Sequence, residues 1–266
     1  MRQQSTRPMR VMLGCIGSVW TVLNTALPLL AQPENRLVFN QLPQATDPSI
    51  PGNALGRGTR RPGDDLCGKS DLPLTALTPY APKPKEEKSP DPDRILGLTM
   101  DASPLFWFYV PYQPKGTLSA EFEVRELVNG KPKRLSRQTV LLPSTPGLLP
   151  IQLQEKSLEA GKKYQWIFSV QCIPGEPSAD DSVSGWVQRV ENANLQSQLQ
   201  QIKTPKQKVQ AYAQAGLWHE TLTALAGDLC QRDRPQAQRW FTDLMRSIRL
   251  ADLANKPSVL QTCPKL

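Results

Sequence analysis

The chain has 266 residues, with 32 lysines and arginines against 24 acidic residues, a formal net charge of +8 and one histidine. A single histidine excludes a histidine-rich metal site and, away from its own position, any Ser-His-Asp charge system. The lysines and arginines are mostly interleaved with acids and no aromatic residues alternate with basic ones, so a nucleic-acid footprint is absent as well.

The first ten residues carry Arg2, Arg7 and Arg10 and no acid, and an apolar run from Val11 to Leu30 follows, closing on Ala31-Gln32-Pro33. This is the layout of a secretory signal over residues 1–31, with an uncleaved anchor as the alternative because the run approaches membrane-spanning length. Without those residues the chain keeps 29 basic against 24 acidic residues, a net of +5, and four cysteines. Once the signal is removed, no membrane span is expected, and the protein is exported to the periplasm, the cell surface or the extracellular space. An even cysteine count in an exported chain points to disulfides. Three pairings are open to four cysteines and the sequence does not choose between them. Cys67 with Cys172 and Cys230 with Cys263 is the favoured arrangement, because it ties the start of the β-region to its aromatic strand and the last segment to a helix.

Residues 32–66 are rich in Pro, Gln, Asn and Gly and lack periodic apolar spacing, which predicts a disordered linker. Within it, Gly56-Arg-Gly-Thr-Arg-Arg-Pro-Gly63 forms a basic arm, and Arg57, Arg60 and Arg61 are candidate contacts to an acidic partner. Leu72–Thr78 reads as a short strand, and the Pro-rich, charged stretch 79–94 as an exposed loop.

From Ile95 to Val190 short apolar runs alternate with turn residues: 96–100, 106–112, 118–127, 135–142, 148–153, 164–172 and 183–190. Seven strands at this spacing predict an α+β chain built on an antiparallel, immunoglobulin-like β-sandwich over residues 67–190. Phe122 and Val124 alternate with Glu121, Glu123 and Arg125, and Asn129-Gly130 supplies a hairpin turn. Tyr164, Trp166, Phe168, Val170 and Cys172 share one face at period two. Trp107, Trp166 and Trp186 are then core anchors, with a sugar-stacking groove as the alternative.

After Val190 the apolar period becomes helical, predicting a small helical module over residues 191–266. Leu195, Leu199 and Ile202 open it. Thr204-Pro205 is an N-cap with proline in the first turn, Gly216 ends the helix, Leu222, Leu225, Ala226 and Leu229 line a second, and Trp240, Phe241, Leu244, Met245 and Ile248 a third. The stretch Ala211–Leu222 resembles the helix crossing of a tetratricopeptide repeat. One such unit does not bury its own face, so it is expected to pack on its neighbours.

Several motifs taken together are similar to a known family: Leu74-Thr-Ala-Leu77, Gly97-Leu-Thr99, Phe106-Trp-Phe-Tyr-Val-Pro-Tyr112, Leu158-Glu-Ala-Gly-Lys162, Tyr164-Gln-Trp-Ile-Phe168, Gly185-Trp-Val-Gln-Arg189, Tyr212-Ala213 and Gly216-Leu-Trp-His-Glu-Thr-Leu-Thr-Ala-Leu225. They resemble a cyanobacterial domain-of-unknown-function family, number nine hundred and twenty-eight in its series, over roughly residues 56–255. Cys67 and Cys172 match as well, and the resemblance supports their pairing. Ser103-Pro104 stands where relatives often carry His-Pro, and the 79–94 insert is longer than usual. The resemblance implies architecture and brings no activity.

The chemical inventory is sparse. No phosphate loop, dinucleotide fingerprint or Gly-x-Ser-x-Gly elbow occurs. Asp180-Asp181-Ser182 lacks the ligand count of a calcium loop. No Cys-x-x-Cys spacing suggests zinc, and Glu121 and Glu123 point from a strand into water. No cofactor, no metal and no catalytic activity are expected. His219, beside Trp218 and Glu220, fits a packing or surface role better than general-base work, and the three residues are candidate partner contacts with the basic arm. The expected function is a non-catalytic binding or adaptor module of the cell envelope, contacting an envelope protein or polymer. The alternatives are a carbohydrate-binding or carbohydrate-processing domain using exposed tryptophans, and a structural component of a cell-surface assembly; the oligomeric state is open.

Overall fold

The computed structural model describes residues 36–39, 67, 72–81, 94–112, 118–154, 156–173, 175–256 and 263. The expected signal, the basic arm and most of the expected linker lie outside them.

Alternation of apolar and polar residues builds the larger of two sheets. In β5 (Ser119–Val128) Ala120, Phe122 and Val124 are buried, while in β8 (Lys163–Gln171) Tyr164, Trp166, Phe168 and Val170 are. The two strands pair antiparallel with Phe122 opposite Phe168, so their inward side chains stack on one face. β6 (Lys131–Leu141) joins β5 through Asn129 and Gly130, both at positive φ (52° and 74°), the geometry an Asn-Gly hairpin turn requires. With β2 (Tyr80–Ala81), β3 (Arg94–Thr99) and β9 (Asp181–Arg189) the sheet has six strands in the order β2-β3-β9-β8-β5-β6. The second sheet is β1-β4-β7, from Thr75–Ala76, Leu105–Val110 and Gly147–Gln152.

One pairing departs from the antiparallel expectation. β3 runs parallel to β9, with Leu96 opposite Trp186 and Thr99 opposite Arg189, so the six-stranded sheet is mixed. Strands β4 to β8 all lie between the two in sequence, and a parallel neighbour requires such a long crossover. The 79–94 stretch, expected to be loop throughout, also supplies β2 and the start of β3, paired through Tyr80 opposite Ile95.

β4 is buried on both faces. Phe106, Phe108 and Val110 belong to the core shared with Phe122, Trp166 and Phe168, and the Phe108 and Phe168 rings lie 4.6 Å apart. Trp107 and Tyr109, on the opposite face, belong to a second core with the helices. This explains the unbroken aromatic run: a strand with two dry faces has no polar position to alternate.

The helices are α1 (Ala193–Gln201), α2 (Pro205–Gln214), α3 (Trp218–Ala224), a π-turn over Leu225–Leu229 leading into α4 (Cys230–Arg232), α5 (Arg234–Ser247) and α6 (Ala251–Ala254). The Thr204 side chain accepts from the Gln207 amide at the start of α2, and Asp233 does the same for Gln236 at the start of α5. Among the described residues, no helix is long and apolar enough to cross a membrane. Strands and helices fall in one compact unit, Arg36–Leu266. Inside the stretch expected as linker, Leu37 and Phe39 are buried in the helical core.

Cys67 and Cys172 are disulfide-bonded with Cα atoms 4.6 Å apart, as are Cys230 and Cys263 at 5.7 Å. The first closes 105 residues and the second 33. Replacing Cys67 and Cys172 by serine is expected to remove about 4–5 kcal/mol of unfolding free energy and replacing the second pair about 3–4 kcal/mol, read from urea titrations of the oxidised proteins.

Candidate functional site

The motif segments meet where α3 packs on β3 and β4. α2 ends at Gln214 with Ala215 as its C-cap, and Gly216, at φ 70°, turns the chain so that the Leu217 amide can donate to the Tyr212 carbonyl and α3 can start at once. The first turn of α3 then places Trp218, His219 and Glu220 against the strands. Trp218 Nε1 donates to the Leu77 carbonyl at 2.8 Å. In the reverse direction, Trp107 Nε1 on β4 donates to Thr223 Oγ1 at 3.1 Å.

His219 is wholly interior, edge-on to Phe106 at 4.9 Å between ring centres. Its Nδ1 lies 2.9 Å from the Leu105 carbonyl oxygen. A carbonyl only accepts, so Nδ1 carries the proton and Nε2 bears the lone pair. Among the described residues Nε2 has no hydrogen-bond partner; it faces Gly97 of β3, where an added Cβ would stand 2.6 Å away. Burial drives the His219 pKa down to about 4, against the smaller opposing effects of the Leu105 hydrogen bond and the Asp101 charge. The ring is therefore neutral at physiological pH.

Glu220 gathers the end of β3. Its Oε1 accepts from Thr99 Oγ1 at 2.8 Å and from the backbone amides of Met100 and Asp101 at 2.5 and 3.0 Å. Burial pushes its pKa up, a larger effect than the opposing hydrogen bonds from Thr99 and the two amides, and its second oxygen has no partner among the described residues. Arg189, beside Thr99 across the β3–β9 pairing, donates to the Met100 and Leu158 carbonyls at 3.2 and 2.7 Å. The Glu220 and Arg189 side chains thus hold the turn that ends β3.

The remaining candidates are placed as follows. Trp218 and His219, proposed as partner contacts, are interior, and Glu220 is turned onto the β3–β4 turn, so the three form a packing junction. They look surface-like in sequence because α3 is short and its polar residues bond inward. Arg57, Arg60 and Arg61 lie outside the described residues. Trp107, Trp166, Trp186, Trp218 and Trp240 are each 4% exposed or less, which removes them as a sugar-stacking platform. Glu121 pairs with Arg137, and Glu123 with Arg125 and Arg134; the Arg125 hydrogen bond is the main influence holding the Glu123 carboxyl below its ordinary range. Asp181 is buried and accepts from the Tyr112 hydroxyl. Among the described residues, no cluster of His, Cys, Asp and Glu has the makings of a metal site.

Two outcomes test the junction. Gly97→Ala is expected to lower stability by about 1–3 kcal/mol through overpacking, and by less in a His219→Ala background, in urea titrations combined as a double-mutant cycle. His219 stays neutral in the folded state and titrates near 6.5 when unfolded, so stability present above pH 6.5 is lost as pH falls towards about 4. The loss is on the order of 3 kcal/mol across that window. Glu220, raised in the folded state, works in the opposite sense. Unfolding midpoints of wild type and His219→Gln at pH 7 and pH 5 isolate the histidine: the variant should lose less on acidification.

No curated protein matches the chain. A family profile described as Domain of Unknown Function (DUF928) matches residues 55–258. That stretch takes in the nine strands and six helices found among the described residues, together with the β3, β4 and α3 segments that meet at the junction. The chain therefore belongs to the DUF928 family.

Proposed function

We propose that this protein is an exported, non-catalytic binding or adaptor module of the cell envelope. The observation that carries the reading is how the junction residues are used. His219, the one histidine, is fixed by the Leu105 carbonyl, and Glu220 by the β3–β4 turn, so the groups best suited to proton transfer hold the fold together. Two disulfide-bonded cysteine pairs are compatible with an oxidising compartment and hence with export. Periplasmic or surface placement and a cyanobacterial source belong to this reading as well.

The partner contact is then sought outside the junction. The basic arm, with Arg57, Arg60 and Arg61 between glycines and a proline, suits an acidic envelope protein or polymer. A pulldown with the exported form is expected to recover a specific envelope component, and Arg57→Ala, Arg60→Ala and Arg61→Ala together should reduce its recovery at least about tenfold if three charge contacts are lost. Recovery of no component by the wild-type protein would exclude the adaptor reading; undiminished recovery by the triple variant would move the contact off the arm.

A further inference from the structure

The segment Arg36-Leu-Val-Phe39 precedes the family match and is separated from Cys67 by 27 residues, yet it is seated on the helical core. Its side chains alternate as in an extended strand: Leu37 and Phe39 are 4% and 8% exposed, whereas Val38 is 57% exposed. Phe39 stands edge-on to Trp218, with ring centres 5.2 Å apart and planes at 85°. The Leu37 amide donates to Asp243 Oδ2 on α5 at 3.2 Å, and Arg36 Nε lies 3.9 Å from the other oxygen of the same carboxylate. Two apolar anchors two residues apart, a captured backbone amide and a flanking cation matched to an acid are the elements by which proteins recognise extended peptides.

The seat is made by the family domain, while its occupant comes from outside the matched stretch. We propose that the Trp218–Asp243 seat is a docking site for an extended Arg-Leu-Val-Phe segment and that it accepts this segment from a second copy of the chain. Among the described residues, the segment's contacts to the seat come from residues 36–39, and they are the same whichever copy supplies those residues. Twenty-seven residues reach up to about 90 Å when extended. A unit of this size has a radius of gyration of roughly 17 Å, so the segment of one molecule can reach the seat of another. Exchange of an identical element between copies needs no new interface chemistry. This inference rests on the contacts of the segment and is independent of the envelope reading above.

Two full-length variants separate the halves of the interaction. Leu37→Asp with Phe39→Asp leaves a vacant seat and no competent segment; Asp243→Lys keeps the segment but removes the amide acceptor and repels Arg36 from its own seat. In sedimentation velocity at roughly 100 µM each is expected to be monomeric alone. Mixed, they should form a one-to-one complex that an excess of a free peptide covering residues 34–41 dissociates. Monomers in the mixture of folded variants overturn the proposal, whether or not the peptide binds. Should the double variant fail to fold, deuterium exchange on the wild type decides: millimolar peptide should accelerate exchange of the Leu37 amide at least about twofold while leaving Leu244 of α5 unchanged. An unaltered Leu37 rate overturns the proposal.

Discussion

Burial of β4 on both faces is the constraint from which the other contacts follow. Its even-numbered residues complete the core between the sheets, and its odd-numbered residues, Trp107 and Tyr109, need a second layer above them. Large aromatic side chains cover on the order of 150–250 Å² each, so an uncovered Trp107–Tyr109 face would be a substantial apolar patch. The helices supply the cover. The chain is accordingly three layers deep at this point, with the three-stranded sheet in the middle, although neither sheet is large.

Covering a strand closely requires the helix to turn its polar groups to partners on the strands, and the first turn of α3 does so through the indole, imidazole and carboxylate hydrogen bonds it makes inward. Trp218 and Trp107 exchange indole hydrogen bonds in opposite directions across the interface, to Leu77 and Thr223. Gly97 removes the one side-chain atom that would keep the imidazole off β3. The residues most suggestive of chemistry are consumed in this way, since a neutral imidazole bonded to a carbonyl and a carboxylate bonded to two amides serve best as fixed struts.

Much of this architecture is legible in the sequence because it depends on short-range periodicity. Alternation in β5 and β8, the Asn129-Gly130 turn and the Thr204 cap all act within a few residues and can be read directly. What is illegible depends on distant partners. The parallel β3–β9 pairing leaves no local trace, because either orientation satisfies the same alternation. Trp218, His219, Thr221, Leu222 and Ala224 are all buried in a seven-residue helix, so α3 has no wet stripe from which an inward face could be inferred. Leu37 and Phe39 are two apolar residues in a Pro- and Gln-rich context, too few to show a period. The inward hydrogen bonds of His219 and Glu220 are illegible for the same reason, since polarity in sequence says nothing of whether a partner waits inside.

The parallel pairing of β3 with β9 also bears on the order of assembly in time. Leu96 meets Trp186 only after the whole intervening meander has been made, and α3, which packs on β3, follows later still in the chain. Contacts of such long sequence separation form slowly, since the loop must close before any pairing rewards it. A chain crossing a membrane from its N-terminus would deliver Cys67 and β3 first and leave Cys67 without Cys172, and β3 without β9, until the β8–β9 hairpin arrived. During that interval the edge of β3 that faces β9 would be open and Cys67 an unmatched thiol, the state in which a protein of this topology has most to gain from a chaperone and an oxidase acting together.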